Sequence, residues 1–175
     1  MDTRIAPLPR ARTWSSPKIE LRPGAEGLGV FAVEAISAGE VLMAIAEVFV
    51  EQRAQHTIQI DEHRHQAGTG EIDDYLNHSC DPNCGLVFDR LELVALRPLV
   101  AGEELSFNYL SSEWDMAAPF RCGCGAAGCM RSISGFRWLA PAEQDVLAPL
   151  ASPYVRQRLA AERGEDLSGP GPKGS

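Results

Sequence analysis

The sequence predicts a mainly β chain with short helices confined to its C-terminal part. Three observations carry that prediction. Short runs of Val, Ile, Leu and Phe, each only a few residues long, recur over residues 19–109 and are separated by glycine and proline turn signals. Helix-start signals stand only beyond Pro141. At 175 residues and 45% hydrophobic, the chain is long enough for one compact core and too short for two, so one domain is expected.

The elements follow in chain order. Residues 1–16 contain three arginines and two prolines without an apolar period, and an extended or poorly ordered arm is expected there. Ile19 to Leu21, Leu28 to Ala32, Val41 to Val50 and Thr57 to Ile60 read as strands, interrupted by the Pro23-Gly24 and Ala38-Gly39 turns. Gly85 to Phe88 and Leu91 to Leu96 flank Asp89-Arg90, the signature of a hairpin, and Leu105 to Tyr109 reads as the last of these strands. Pro141 opens a helix through Leu147, and Ser152-Pro153 has the cap-then-proline start of another through Arg163. The glycine, proline and serine of Ser168 to Ser175 predict a disordered end.

Charge and composition narrow the function classes. A net charge of −8 argues against autonomous nucleic-acid binding, which needs a basic face, and suits a lysine-rich partner or serves solubility alone. No apolar run approaches membrane-spanning length, and no charged-then-apolar start suggests export. A soluble intracellular protein of nucleus or cytoplasm is expected, with no membrane partner.

The chemistry-bearing residues lie in two clusters. Cys122, Cys124 and Cys129 form a CxCx4C pattern with Gly123, Gly125 and Gly128, which allow a tight loop around an ion. A structural zinc takes four ligands, and the remaining cysteines are Cys80 and Cys84. Five cysteines are odd in number and CxC is cramped for a disulfide, so zinc is favoured over a disulfide or buried free thiols. Cys80 is the better fourth ligand, leaving Cys84 as a small buried residue. The second cluster is Asn77-His78-Ser79-Cys80-Asp81-Pro82-Asn83. His63 and His65, two apart, are taken as exposed strand or loop residues.

These motifs, in this order, resemble a SET-domain protein-lysine methyltransferase with a post-SET zinc cluster. Gly27-Leu28-Gly29-Val30-Phe31-Ala32 resembles the family's glycine-rich first cofactor motif, and Ile36-Ser37-Ala38-Gly39-Glu40-Val41 resembles its following turn. Asn77 to Asn83 matches the central signature, and Ala101 to Tyr109 matches the last strand with its terminal tyrosine. The resemblance implies a SET-domain fold of several short-stranded, β-clip-like sheets. It divides the chain into a flexible arm at 1–16, the SET domain at 17–110, a post-SET zinc region at 111–137, a helical extension at 138–164 and a disordered tail at 165–175.

It also implies methyl transfer from S-adenosylmethionine to a lysine side-chain amine in a protein, histone or otherwise. Free lysine, with a pKa of about 10.4, is almost wholly charged at neutral pH, so the site must favour the neutral nucleophile by desolvation and alignment. Tyr109 matches the tyrosine beside the transferred methyl, and Phe107 matches the position that limits how many methyl groups fit. Gly27, Leu28, Gly29, Asn77 and His78 would contact the cofactor, with Tyr75 and Phe120 as apolar contacts or core residues. Cys80, Cys122, Cys124 and Cys129 would hold zinc.

The chain departs from the family pattern at several places. Asp74 stands where many relatives carry arginine, the segment around Ile45 lacks a second tyrosine, and Val50 to Glu71 leaves little room for a substrate-recognition insert. No pre-SET cysteine cluster precedes Gly27. Ser111 to Met116 could shape the channel instead, with Trp114 equally suited to anchor a core. The alternative class is a zinc-stabilised SET-like binding module that has lost turnover.

Overall fold

A hairpin opens the fold: β1 (Ile19–Gly24) pairs antiparallel with β2 (Gly27–Ala32), in register from Ile19 opposite Ala32 to Gly24 opposite Gly27. The computed structural model describes residues 14–25 and 27–165. The remainder of the expected arm and tail lies outside the described residues. Trp14 to Ser16, assigned to that arm by composition, instead run beside the next strand. Ala44 N donates to Trp14 O at 2.8 Å and Ser16 N to Leu42 O at 2.8 Å.

Of the run Val41 to Val50, only the ends are strands, β3 (Val41–Ala44) and β4 (Phe49–Val50). The break has a local cause. Ile45 N donates to Leu91 O at 2.7 Å and Ala46 N to the buried Asp73 carboxylate at 2.9 Å, so neither amide continues a ladder. β4 joins β5 (Ile58–Gln59) and β6 (His65–Gln66) in a three-stranded sheet with β6 in the middle. His65 therefore sits in a central strand and is 2% exposed, not on a loop or exposed face as its sequence context suggests. Burial lowers its pKa.

A 3₁₀ turn at Ile72–Tyr75 leads into β7 (Asn77–His78). The predicted hairpin forms as β8 (Cys84–Val87) and β9 (Glu92–Ala95), with Leu91 in a left-handed conformation at φ 49°. β9 is the middle strand between β3 and β8. β10 is shorter than the sequence suggests: Ser106–Phe107 alone, pairing in parallel with β7, while Tyr109 opens a 3₁₀ turn over Tyr109–Ser111. Asn108 caps that turn, its side chain accepting from Leu110 N at 3.1 Å. β11 (Phe120–Arg121) and β12 (Ser132–Ile133) bracket the cysteine loop.

Both predicted helices form: α1 (Pro141–Leu147) and α2 (Pro153–Arg163). Ser152 Oγ accepts from Val155 N at 3.1 Å at the start of α2, and Gly164 closes it at φ 69°. Buried side chains form two clusters where the length suggested one. The first packs the strands around Val30, Leu42, Leu93, Leu105 and Phe107. The second packs Trp114, Phe136, Tyr154, Val155 and Leu159, with Cys80 and Cys122 against its edge. The C-terminal helices build this second cluster, docked where Ser152 N donates to Ser111 O at 2.7 Å. Among the described residues no helix is long and apolar enough to cross a membrane.

Candidate active site and thiol cluster

The parallel register of β7 and β10 sets Phe107 opposite His78 and carries Tyr109 past the Asn77-His78 pair. Tyr109 is anchored from both ends. Its hydroxyl donates to Leu76 O at 2.7 Å, and its backbone N donates to His78 Nδ1 at 3.1 Å. The Phe107 ring lies 4.9 Å from the Tyr109 ring, centroid to centroid. The two do share a wall, although Tyr109 reaches it from a 3₁₀ turn and not along a continuous strand.

His78 is committed inside the protein. Its ring packs edgewise on Tyr109 at 5.2 Å and on Phe120 at 5.7 Å, and burial lowers its pKa to about 4. The neutral ring accepts at Nδ1, so its proton resides on Nε2, which faces Cys80 Sγ at 3.4 Å. His78 thus joins the tyrosine turn to the thiols, leaving its backbone for any ligand. Asn77 is similarly occupied: Nδ2 donates to Glu104 Oε1 at 2.7 Å and to Leu28 O at 3.2 Å. These bonds fasten β2 against β7. A Cβ on Gly29 would press into the Glu104 carboxylate and lie 3.1 Å from Asn77 Nδ2, so any side chain there displaces the Asn77–Glu104 pair. Gly27, at φ 116°, turns the chain into β2.

Two cavities meet at Tyr109. An open cleft of about 740 Å³ is lined by Leu28, Asp74, Tyr75, Asn77 and Tyr109 among others. A much narrower one, about 70 Å³, is lined by Leu76, Phe107, Tyr109, Glu113 and Met116, with Asp73 and His56 also on its wall. Asn77 and His78 also border a smaller cleft beside Gly123 and Cys124. Phe120, 36% exposed, packs edgewise on His78 and Tyr109. Asp74 holds a loop by accepting from Thr69 N at 2.7 Å and from Gly70 N. Ile45, near which a second tyrosine is missing, is packed in the first core.

The segment Ser111 to Met116 does shape the narrow cavity, through Ser112, Glu113 and Met116. Trp114 is a core anchor, 3% exposed and stacked on Phe136 at 6.0 Å. Glu113 carries the feature that motif reading missed. Its carboxylate is buried, and burial raises its pKa to about 7 against its bonds to Gln59 N and Ser112. The sequence signal was an acidic residue between Ser112 and Trp114, in a stretch otherwise destined for a core.

The sulfurs of Cys80, Cys122, Cys124 and Cys129 all lie within 4.8 Å of one another, as the cysteine pattern predicts, while Cys84 is buried apart at 1% exposure. Cys80 and Cys122 Sγ are 3.8 Å apart. Tetrahedral thiolates at a zinc–sulfur distance of about 2.3 Å stand about 3.8 Å from each other, so the donor set fits that ion. Two backbone amides already point at sulfur, Met130 N to Cys80 and Cys124 N to Cys122, each at 3.4 Å. Burial pushes the Cys80 thiol up to about 11 and raises Cys122 further, whereas at Cys124 amides and neighbouring thiols outweigh burial and lower it to about 6.

Methyltransferase flvH of Aspergillus flavus is 40% identical over 106 residues, covering 54% of this chain and 57% of flvH. Histone-lysine N-methyltransferase Su(var)3-9 of Drosophila pseudoobscura pseudoobscura is 35% identical over 85 residues, covering 38% of this chain and 13% of that protein. The chain therefore spans little more than half of one relative and a small part of the other. The crystal structure of KRYPTONITE in complex with mCHG DNA and SAH superposes with a TM-score of 0.53 and 25% identity, covering 65% of this chain and 28% of that one. The family model for the SET domain matches residues 27–110, from the first glycine of β2 into the tyrosine turn.

Proposed function

We propose that this chain is a protein-lysine N-methyltransferase that uses S-adenosylmethionine, with a zinc ion closing the post-SET region. The observation that carries the reading is Tyr109, which lines both the wide cleft and the narrow cavity. The wide cleft has the size and mixed lining of a cofactor site, and the narrow one admits only a slender chain such as a lysine side chain.

S-adenosylmethionine, when bound, supplies an electrophilic methyl group on a sulfonium. Gly27, Leu28 and Gly29 offer backbone beside Asn77, Tyr75 backs the cleft, and Phe120 covers its rim. Leu76 and Phe107 strip water from an entering amine and so favour its neutral form. The Tyr109 hydroxyl has its proton directed at Leu76 O, which turns its oxygen into an oriented acceptor for the amine. Cys80, Cys122, Cys124 and Cys129 hold the zinc and keep Phe120 near His78. A lysine-bearing polypeptide is the partner, suited to the net charge of −8.

Incubation with labelled S-adenosylmethionine and a panel of lysine peptides, including the histone H3 N-terminus, tests the proposal. Transfer of label to lysine is expected, with about one zinc per chain by elemental analysis. A pure, folded, zinc-loaded protein that neither binds S-adenosylmethionine by calorimetry nor transfers label overturns it.

A further inference from the structure

Glu113 is a buried acidic group at the wall of the narrow cavity, and the reading above gives it no role. Its two carboxylate oxygens differ. Oε1 accepts from Gln59 N at 2.8 Å and from Ser112 Oγ at 3.0 Å. Among the described residues no hydrogen bond reaches Oε2, and Oε2 is not among the buried atoms lacking a partner, so it keeps solvent contact, and Glu113 belongs to the wall of the cavity that Phe107 and Tyr109 line. The carboxylate is held from β5 on one side and from the turn after Tyr109 on the other. Glu113 N also donates to Tyr109 O at 3.0 Å, which seats the acid one turn beyond the tyrosine.

Asp73 lines the same cavity but is placed differently. Its Oδ2 accepts from Ala46 N at 2.9 Å, and its Oδ1 is sealed from solvent without a partner. Asp73 therefore closes the end of β3, and Asp74, only half-buried, holds the Thr69–Gly70 loop through Oδ2, so Glu113 is the buried acid of this wall whose second oxygen keeps solvent contact.

We propose that Glu113 takes the proton from the substrate ammonium before methyl transfer, and this rests on the lysine methyltransferase reading above. One N–H bond of the ammonium breaks, its electron pair stays on nitrogen, and the proton bonds to Glu113 Oε2. That pair then forms the bond from nitrogen to the methyl carbon as the carbon–sulfur bond breaks and its pair passes to sulfur. The proton on Glu113 returns to water through the cavity mouth. Burial favours the neutral carboxylic acid and the neutral amine together, so the transfer is easier here than in water. The raised pKa of the acid, about 7, agrees in direction.

Glu113→Gln is the test, because glutamine keeps an acceptor for Gln59 N while removing the proton acceptor. Activity toward the best peptide of the panel is expected to fall about a hundredfold at pH 7 while S-adenosylmethionine affinity is retained. Since the variant must draw on amine already neutral in solution, its deficit is expected to shrink as pH rises toward 10. The groups facing Glu113 are Arg53, whose charge lowers its pKa, and His56, Asp73, Asp74 and Tyr109 around the cavity. Asp73→Asn separates the neighbouring acid and is expected to leave the alkaline recovery unchanged.

A deficit of equal size at every pH marks a purely structural role and overturns the inference, as does an unchanged rate. Should Glu113→Gln fail to fold, Ser112→Ala decides: loss of its bond to Oε1 moves the rising limb of the rate profile to higher pH, and an unmoved limb overturns the inference. Infrared spectra give a readout on the protein alone. A carboxylic-acid band that disappears as pH rises through about 7 and is missing in Glu113→Gln supports the assignment, and its absence from the parent overturns it. A parent that transfers no label to any peptide fails the methyltransferase reading, whereas an active parent with a pH-independent deficit fails only the role of Glu113.

Discussion

The Tyr109 hydroxyl donates to Leu76 O, so removing it changes one oriented oxygen and little volume. Tyr109→Phe is expected to cut turnover about a hundredfold or more, the scale of losing a positioned polar group, with S-adenosylmethionine affinity nearly unchanged. The loss of a partner for Leu76 O adds a stability cost of about 1 kcal/mol. Turnover with labelled cofactor, beside calorimetric titration, checks both parts. Phe107 is 4% exposed and lies against the tyrosine ring, presenting no hydroxyl to the cavity. The parent is therefore expected to form di- and trimethyl products, and Phe107→Tyr to stop mainly at one methyl. Mass spectrometry of a methylated peptide decides, and a parent that halts at monomethyl-lysine removes the role given to Phe107.

Among the elements, the cysteine loop between β11 and β12 and the short strand β7 depend on each other. His78 contacts Cys80 through Nε2 and Tyr109 N through Nδ1, so the thiols and the tyrosine turn share one ring. Cys124→Ser is expected to lose zinc and weaken S-adenosylmethionine binding together, because the loop that carries Phe120 is no longer tied down. Elemental analysis with calorimetry on the same preparation tests this, and zinc-free protein with full affinity would separate the two. The helices answer to ordinary capping. Ser152→Ala removes the acceptor for Val155 N and is expected to cost about 1 kcal/mol in denaturant unfolding, without altering zinc content.

At the scale of the whole molecule, Glu113 couples the cavity to folding. Its folded-state pKa of about 7 stands above the ordinary 4.5, so the folded chain keeps a proton that the unfolded chain releases. Stability is therefore greatest below the unfolded value and declines as pH rises from there through about 7, by on the order of 3 kcal/mol from this group. Asp73, also raised by burial, contributes with the same sign. Chemical denaturation at pH 5 and pH 8 should show the decline, and Glu113→Gln should flatten it. Equal slopes in parent and variant would contradict this assignment. A buried acid with this cost fits a site whose chemistry uses it.

Local signals sufficed where the cause is local. The Asp89-Arg90 hairpin, the Pro141 and Ser152-Pro153 helix starts and the cysteine pattern each state their structure within a few neighbouring residues, and all appear where the chain suggests. The motif order sufficed to suggest the SET family, whose model matches residues 27–110. Contacts between distant segments were decided by tertiary structure. The run from Val41 breaks because Asp73, from the segment before β7, takes the Ala46 amide. His65 is buried because β6 lies between two partners. The side chains of Asn77 and His78 are spent on Glu104, Leu28, Tyr109 and Cys80, which no residue type or spacing discloses. Glu113 has no role of its own in the sequence reading of Ser111 to Met116, and it becomes a buried cavity acid only once β5 and the turn after Tyr109 close on it. Its burial depends on chain segments that meet only in the folded state, and burial rather than residue type decides its protonation.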